Sequence, residues 1–149
     1  MKWNKLNLGS GKNKKQGYCN IDLTYDADIH LNLEDQTLPF EDNSIEEVVA
    51  ENLLCMLSNL RNVMNESHRV LINGGVLRLL TFDAGKHPEL FFQDPDHKRG
   101  LNRHAYDYFI EGTEAYSQFG DTYGYKPWGL LSEREEGSCL LIQLTPIKK

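Results

Sequence analysis

Short apolar runs separated by glycine- and asparagine-rich turns fill the first half of the chain. Residues 5–8 (KLNL) alternate polar and apolar positions and read as a strand. Residues 18–23 read as a second strand, 29–33 as a third, and 45–50 (IEEVVA) as a buried fourth. The period then changes. Leu57, Leu60, Met64 and Leu71 fall on one face, flanked by Val63 and Val70, which predicts an amphipathic helix over 57–71. Asn73-Gly74-Gly75 reads as its stop, because glycine accepts the left-handed conformation common just past a helix. A strongly apolar strand over 76–82 follows and ends at Asp83.

The last third is different in character. Residues 87–100 are polar and loop-like, and 103–110 read as a short amphipathic helix with Asn102 as N-cap. Residues 112–126 are rich in glycine and aromatic side chains. Residues 128–147 read as a terminal hairpin with its turn at Glu135-Glu136-Gly137, and Leu140, Ile142 and Leu144 line one of its faces. This order of elements predicts an α/β fold with a mainly parallel sheet and a C-terminal antiparallel hairpin. No shift in composition divides it, so residues 1–149 are expected to form a single domain.

Charge and cysteine content narrow the possibilities. The net charge is -6, which argues against a broad phosphate-gripping face, so no nucleic-acid partner is expected. Lys12, Lys14 and Lys15 read as a solvated loop. The 3 cysteines are widely spaced and lack a CxxC pair, as in reduced cytoplasmic proteins. No signal peptide or membrane span is read, and His87, His97 and His104 lack the spacing of a metal-ligand set.

The stretch KLNLGSGKNKKQGYCNIDL carries the first chemical signal. A glycine turn, Gly9-Ser10-Gly11, follows the first strand, and Asp22 ends the second. A dinucleotide site would place a third glycine and a helix between them, and its acidic residue about twenty residues on. Here residues 9–17 leave room for one helical turn at most. The spacing suits a ligand with a ribose and no phosphate: the glycines admit a close backbone approach, and the carboxylate accepts ribose hydroxyls. S-adenosylmethionine is such a ligand, and its positive charge suits an acidic protein.

LNLGSG, NIDL, LPFEDNSIEEVVAENLL, ESHRVLINGGVLRLL and QDPDHKR, in this order, resemble the small class I S-adenosylmethionine-dependent methyltransferases of the type-11-like group, in a subgroup with a shortened first crossover. The resemblance covers residues 5–109 and is most specific in the LPF…NS and RVL…GG blocks. It implies a Rossmann-like class I methyltransferase sheet. By position it assigns Leu8, Gly9, Ser10 and Gly11 to the methionine part of the cofactor, Asp22 to the ribose and Leu23 to the adenine face. Asn32 and Leu33 would hold the adenine edge, with Glu51 and Asn52 near the amino and sulfonium end. The chain departs from the pattern where Asn7 precedes the glycines in place of an acid, where Asn32 replaces another acid, and where Leu54-Cys55-Met56 stands in place of LEH.

In such a fold the acceptor would lie beyond the carboxyl ends of the strands, beside Asp83 and QDPDHKR. His97 is the first candidate for a base or acceptor-orienting group, against the equal alternative of a structural pin; Asp94 and Asp83 follow. Lys98 and Arg99 are candidates for an anionic part of the acceptor. The reading is methyl transfer to a small-molecule or sugar-type acceptor, with a catalytically inactive cofactor-binding module and a nicotinamide-dependent reductase as alternatives.

Overall fold

The computed structural model describes residues 2–149. Seven strands form one sheet in the order β3-β2-β1-β4-β5-β7-β6. They are β1 (Lys5–Leu8), β2 (Cys19–Asp22), β3 (Ile29–His30), β4 (Ile45–Glu51), β5 (Leu71–Phe82), β6 (Trp128–Glu136) and β7 (Cys139–Pro146). The first five pair in parallel, and β7 inserts antiparallel between β5 and β6. The mainly parallel sheet and the terminal hairpin both match the expectation from sequence. The hairpin turn lies slightly later than expected, between the paired Glu136 and Cys139.

Of the parallel connections only that from β4 to β5 is a helix, α1 (Leu60–Val70). It begins three residues later than the periodicity suggests, because the Asn59 side chain accepts the Arg61 amide and sets the N-terminus there. The preceding residues Leu54–Met56 form a 310 turn. Its end differs too. The chain turns extended at Leu71, and Lys148 Nζ donates to the terminal carbonyls of His68 and Arg69, at 2.6 and 3.2 Å. The glycines therefore do not stop the helix. Gly74 (φ +85°) instead lets β5 bulge between its pairings Ile45↔Leu71 and Glu47↔Val76. Within the expected loop 87–100, Pro88–Phe92 forms a short helix, α2, with proline at its start. The third strand is cut to two residues because Asn32 turns the chain, accepting the Glu34 amide at 3.0 Å.

The alternation of side chains splits the sheet into unlike faces. Leu6, Leu8, Val48, Ala50, Leu77, Leu79, Ile142 and Leu144 point toward α1 and form the core. Arg69 secures this side: its guanidinium donates to the carbonyls of Leu38 and Phe40 and pairs with Glu66 and Asp42. The two most specific sequence blocks are thus bound to each other. On the other face Val49, Leu80 and Leu141 floor a shallow depression of about 440 Å³. Ion pairs lie around it, Lys15–Glu51 at 3.0 Å and Arg78–Glu47 at 3.6 Å. Charges on this face replace the cover that helices in the first two crossovers would supply.

His68 closes the amino end of the core. Its ring meets Trp128 edge-on, and Nε2 lies 3.0 and 3.1 Å from the carbonyls of Pro127 and Ile147. Burial pushes its pKa below the usual histidine value, and the positive charge of Lys148 adds to this against the opposing pull of the two carbonyls. Below about pH 6.5 the unfolded chain binds a proton that the folded chain resists, so stability is lost as pH falls. Urea unfolding at pH 7.5 and 5.5 should show a smaller pH-dependent loss in His68→Gln than in the wild type; equal losses would contradict this role.

Candidate functional site

The carboxyl ends of β1, β2 and β4 meet at the glycine turn. The amides of Gly9 and Ser10 both donate to the Ile21 carbonyl, at 2.8 and 3.1 Å. The Gly11 amide donates to Asp22 Oδ2 at 2.8 Å, and Asp22 Oδ1 accepts the Thr24 amide at 3.1 Å. Burial raises the Asp22 pKa, but the amides of Thr24, Gly11 and Tyr25 outweigh it and hold the carboxyl below its usual value. Asp22 is therefore ionised at neutral pH, with lone pairs left for further donors.

No helix forms between β1 and β2. The crossover is held instead by Asn7, which is 2% exposed and donates to Asn20 Oδ1 at 2.9 Å and to the Asn13 carbonyl at 3.0 Å. Both partners are acceptors. A carboxylate at this position could donate to neither, which gives the departure at Asn7 a physical reason.

Gly9 and Gly11 have φ of +67° and +51°. A Cβ on Gly9 would lie 2.8 Å from Leu53 Cδ1, so the loop after β4 packs directly on the turn. Asn52 in that loop is itself left-handed (φ +55°) and donates its amide to the Leu80 carbonyl. Glu51 pairs with Lys15 on the open sheet face. Leu8 is buried, Leu33 lies in the core, and Leu23 is exposed. Cys55 is buried, and its thiol is pushed up in pKa by that burial, so it is a packing residue.

The other side of the Leu53–Leu57 loop carries the 94–99 segment. The amides of Lys98 and Arg99 donate to the Cys55 carbonyl, at 2.7 and 3.3 Å, and Arg99 Nε donates to the Leu57 carbonyl at 3.0 Å. Lys98 is exposed. The His97 ring stacks against Phe82 and Phe91, with Nδ1 3.1 Å from the Phe91 carbonyl and Nε2 3.5 Å from Asp94 Oδ2. A carbonyl only accepts, so Nδ1 carries a proton, and Nε2 faces the Asp94 carboxylate. Asp83 is 6% exposed and is committed to the amides of Gly85 and Lys86.

Sequence reasoning missed Leu53, Glu34 and Asn59. Glu34 receives the amides of Ser58 and Asn59 at 2.5 and 3.3 Å and so fixes the far end of the bridging loop. A polar residue after a broken strand carried no signal of that contact.

The methyltransferase-domain family matches residues 6–79, from β1 into β5. The chain belongs to the class I S-adenosylmethionine-dependent methyltransferases. Solved structures share the fold. The YcgJ protein of Bacillus subtilis superposes with a TM-score of 0.66 at 12% identity, over 99% of this chain and 93% of that one. A putative methyltransferase of Haloferax volcanii, crystallised with the Trm112 methyltransferase activator, gives 0.63 at 12% identity over 99% and 85%. A possible histamine N-methyltransferase from Thermotoga maritima gives 0.60 at 14% identity over 97% and 82%. No curated protein matches the sequence.

S-adenosylmethionine is the cofactor of this methyltransferase, which decides against a nicotinamide donor. Its residues fit that ligand. Ser10 is 4% exposed, and among the described residues its hydroxyl has no hydrogen-bond partner. Beside it stand a positive-φ backbone and an ionised carboxylate at the strand end.

The turn's geometry makes a stability prediction. At either glycine alanine pays roughly 1–2 kcal/mol for the left-handed conformation. Only Gly9→Ala also meets Leu53, since nothing lies within 4 Å of a Cβ at Gly11. Chemical unfolding should rank Gly9→Ala as the costlier change; equal costs would mean that Leu53 does not pack on the turn.

Proposed function

We propose that this methyltransferase acts on a small-molecule or sugar-type acceptor held between the glycine turn and the 94–99 segment. The observation that carries the reading is the loop Leu53–Leu57. It touches Gly9 through Leu53 and receives the amides of Lys98 and Arg99 on the Cys55 carbonyl. Donor and acceptor sides are thus attached to one short stretch of backbone, which favours alignment of the reacting groups.

Gly9, Ser10, Gly11 and Leu8 would border the methionine part, Asp22 the ribose, Leu23, Asn32 and Leu33 the adenine, and Glu51 and Asn52 the amino end. The bound cofactor supplies a methyl group already activated by positive sulfur. His97 takes the acceptor's proton on Nε2, and Asp94 stabilises the imidazolium that results. The Phe91 carbonyl accepts from Nδ1 and turns Nε2 toward Asp94, while Phe82 and Phe91 hold the ring plane. Asp83 acts indirectly, by shaping the turn after β5. Lys98 and Arg99 offer positive charge to an acceptor.

A cofactor-binding module without turnover is the second reading, favoured by the engagement of both His97 nitrogens within its own loop. Wild-type turnover on a panel of acceptors separates the two, since a module without catalysis binds S-adenosylhomocysteine and methylates none of them; His97→Ala then tests the base. With His97 as base, turnover on an accepted substrate falls roughly a hundredfold or more while S-adenosylhomocysteine affinity is unchanged. A lower melting temperature with intact specific activity in the folded fraction would make His97 a structural pin.

A further inference from the structure

Beside Arg99 a cleft of about 230 Å³ opens between the start of α1 and residues 101–125. Leu60 and Leu101 form apolar walls, and Tyr108, Tyr123 and Tyr125 contribute rings. Tyr108 and Tyr123 are nearly parallel, with centroids 6.0 Å apart and planes 7° apart. Phe119 stacks on both, and Tyr125 stands edge-on to Tyr123. These rings are braced from behind. Arg61 donates to the Tyr123 carbonyl at 3.2 Å, Asn65 to the Gly124 carbonyl at 2.7 Å, and the Tyr116 hydroxyl to the Tyr125 carbonyl at 2.9 Å. The cleft is therefore formed before any ligand arrives.

Its charge is one-sided. In a chain of net charge -6, the side chains bordering this cleft among the described residues include one cation, Arg99, and no acid. The guanidinium spends Nε and one terminal nitrogen on the carbonyls of Leu57 and Ser58, leaving its other terminal nitrogen without a protein partner among the described residues.

We infer that this cleft is the acceptor subsite and takes a single aromatic ring bearing an acidic group, an aromatic carboxylate. The size supports one ring: an apolar cavity of about 150 Å³ accommodates benzene, so 230 Å³ admits a ring and one substituent. The aromatic walls supply stacking, and the free edge of Arg99 supplies a charge-assisted hydrogen bond. The border lacks the carboxylate and amide side chains that would hold the hydroxyls of a sugar. Arg99 belongs to the segment that also carries His97, so the subsite rests on the acceptor location proposed above.

The probe is benzoate, titrated into the 15N-labelled full chain and followed by amide shifts, with benzyl alcohol, benzylamine and glucuronate as comparators. The expected result is saturable shifts at Arg99, Ala105, Tyr123 and Tyr125, with benzoate at least tenfold tighter than each comparator. Tyr123→Leu should weaken benzoate tenfold or more and leave S-adenosylhomocysteine affinity unchanged. Arg99→Gln should remove the preference for benzoate over benzyl alcohol. A comparator that binds as well as benzoate, shifts confined to other residues, or variants without these effects would overturn the assignment. Absence of benzoate binding with intact S-adenosylhomocysteine binding and turnover removes the aromatic acid alone; absence of turnover on every acceptor bears instead on the methyl-transfer reading.

Discussion

Two amides of the glycine turn, those of Gly9 and Ser10, converge on the Ile21 carbonyl, and Asp22 takes the next, that of Gly11. This junction joins the end of β1 to the end of β2 without a helix. A parallel crossover ordinarily uses a helix to cross the sheet, satisfy its own backbone and cover apolar side chains. Here the first two tasks fall to side chains, chiefly Asn7, Asn20 and Asp22. The third is avoided by sequence: the uncovered face carries Arg78, Glu47, Glu51 and Lys15 over a narrow apolar floor. Exposed pairs of this kind add little stability. Their effect is to keep the open face hydrated.

The same junction reaches the loop after β4. Because the turn lies tight on β2, its open side meets Leu53, and the loop after β4 becomes the link between the turn and the 94–99 segment. That loop is held from three directions: by Leu53 against Gly9, by Glu34 on the amides of Ser58 and Asn59, and by the 94–99 segment at the carbonyls of Cys55 and Leu57. With Leu54-Cys55-Met56 in place of LEH, the loop is held through its backbone, by the carbonyls of Cys55 and Leu57. A methyltransferase that mainly aligns its reactants depends more on such backbone positioning than on one titratable group there.

Much of this was legible in the sequence, for identifiable reasons. Short apolar or alternating runs marked the strands of the sheet, and period 3.6 marked α1, because burial selects those patterns. The glycine turn and Asp22 stood out because they end β1 and β2, and the 94–99 segment because it is densely polar. The helix stop at Gly74 was misread because the sequence does not show Lys148 reaching back from the far terminus to take the helix carbonyls. The RVL block drew attention as a family signature, yet Arg69 is a structural anchor for the turn around Pro39. Contacts such as Glu34 to Ser58 join residues far apart in the chain, and no local pattern encodes them.

The central claim is that a phosphate-free adenosine ligand is held by a glycine turn without its helix. A crystal structure of the chain grown with S-adenosylhomocysteine tests it most directly. The account predicts ribose hydroxyls within hydrogen-bonding distance of the Asp22 carboxylate, with the Gly9 and Ser10 amides still on the Ile21 carbonyl. A ribose seated away from Asp22, or a ligand lying on the open face over Val49, Leu80 and Leu141, would contradict it.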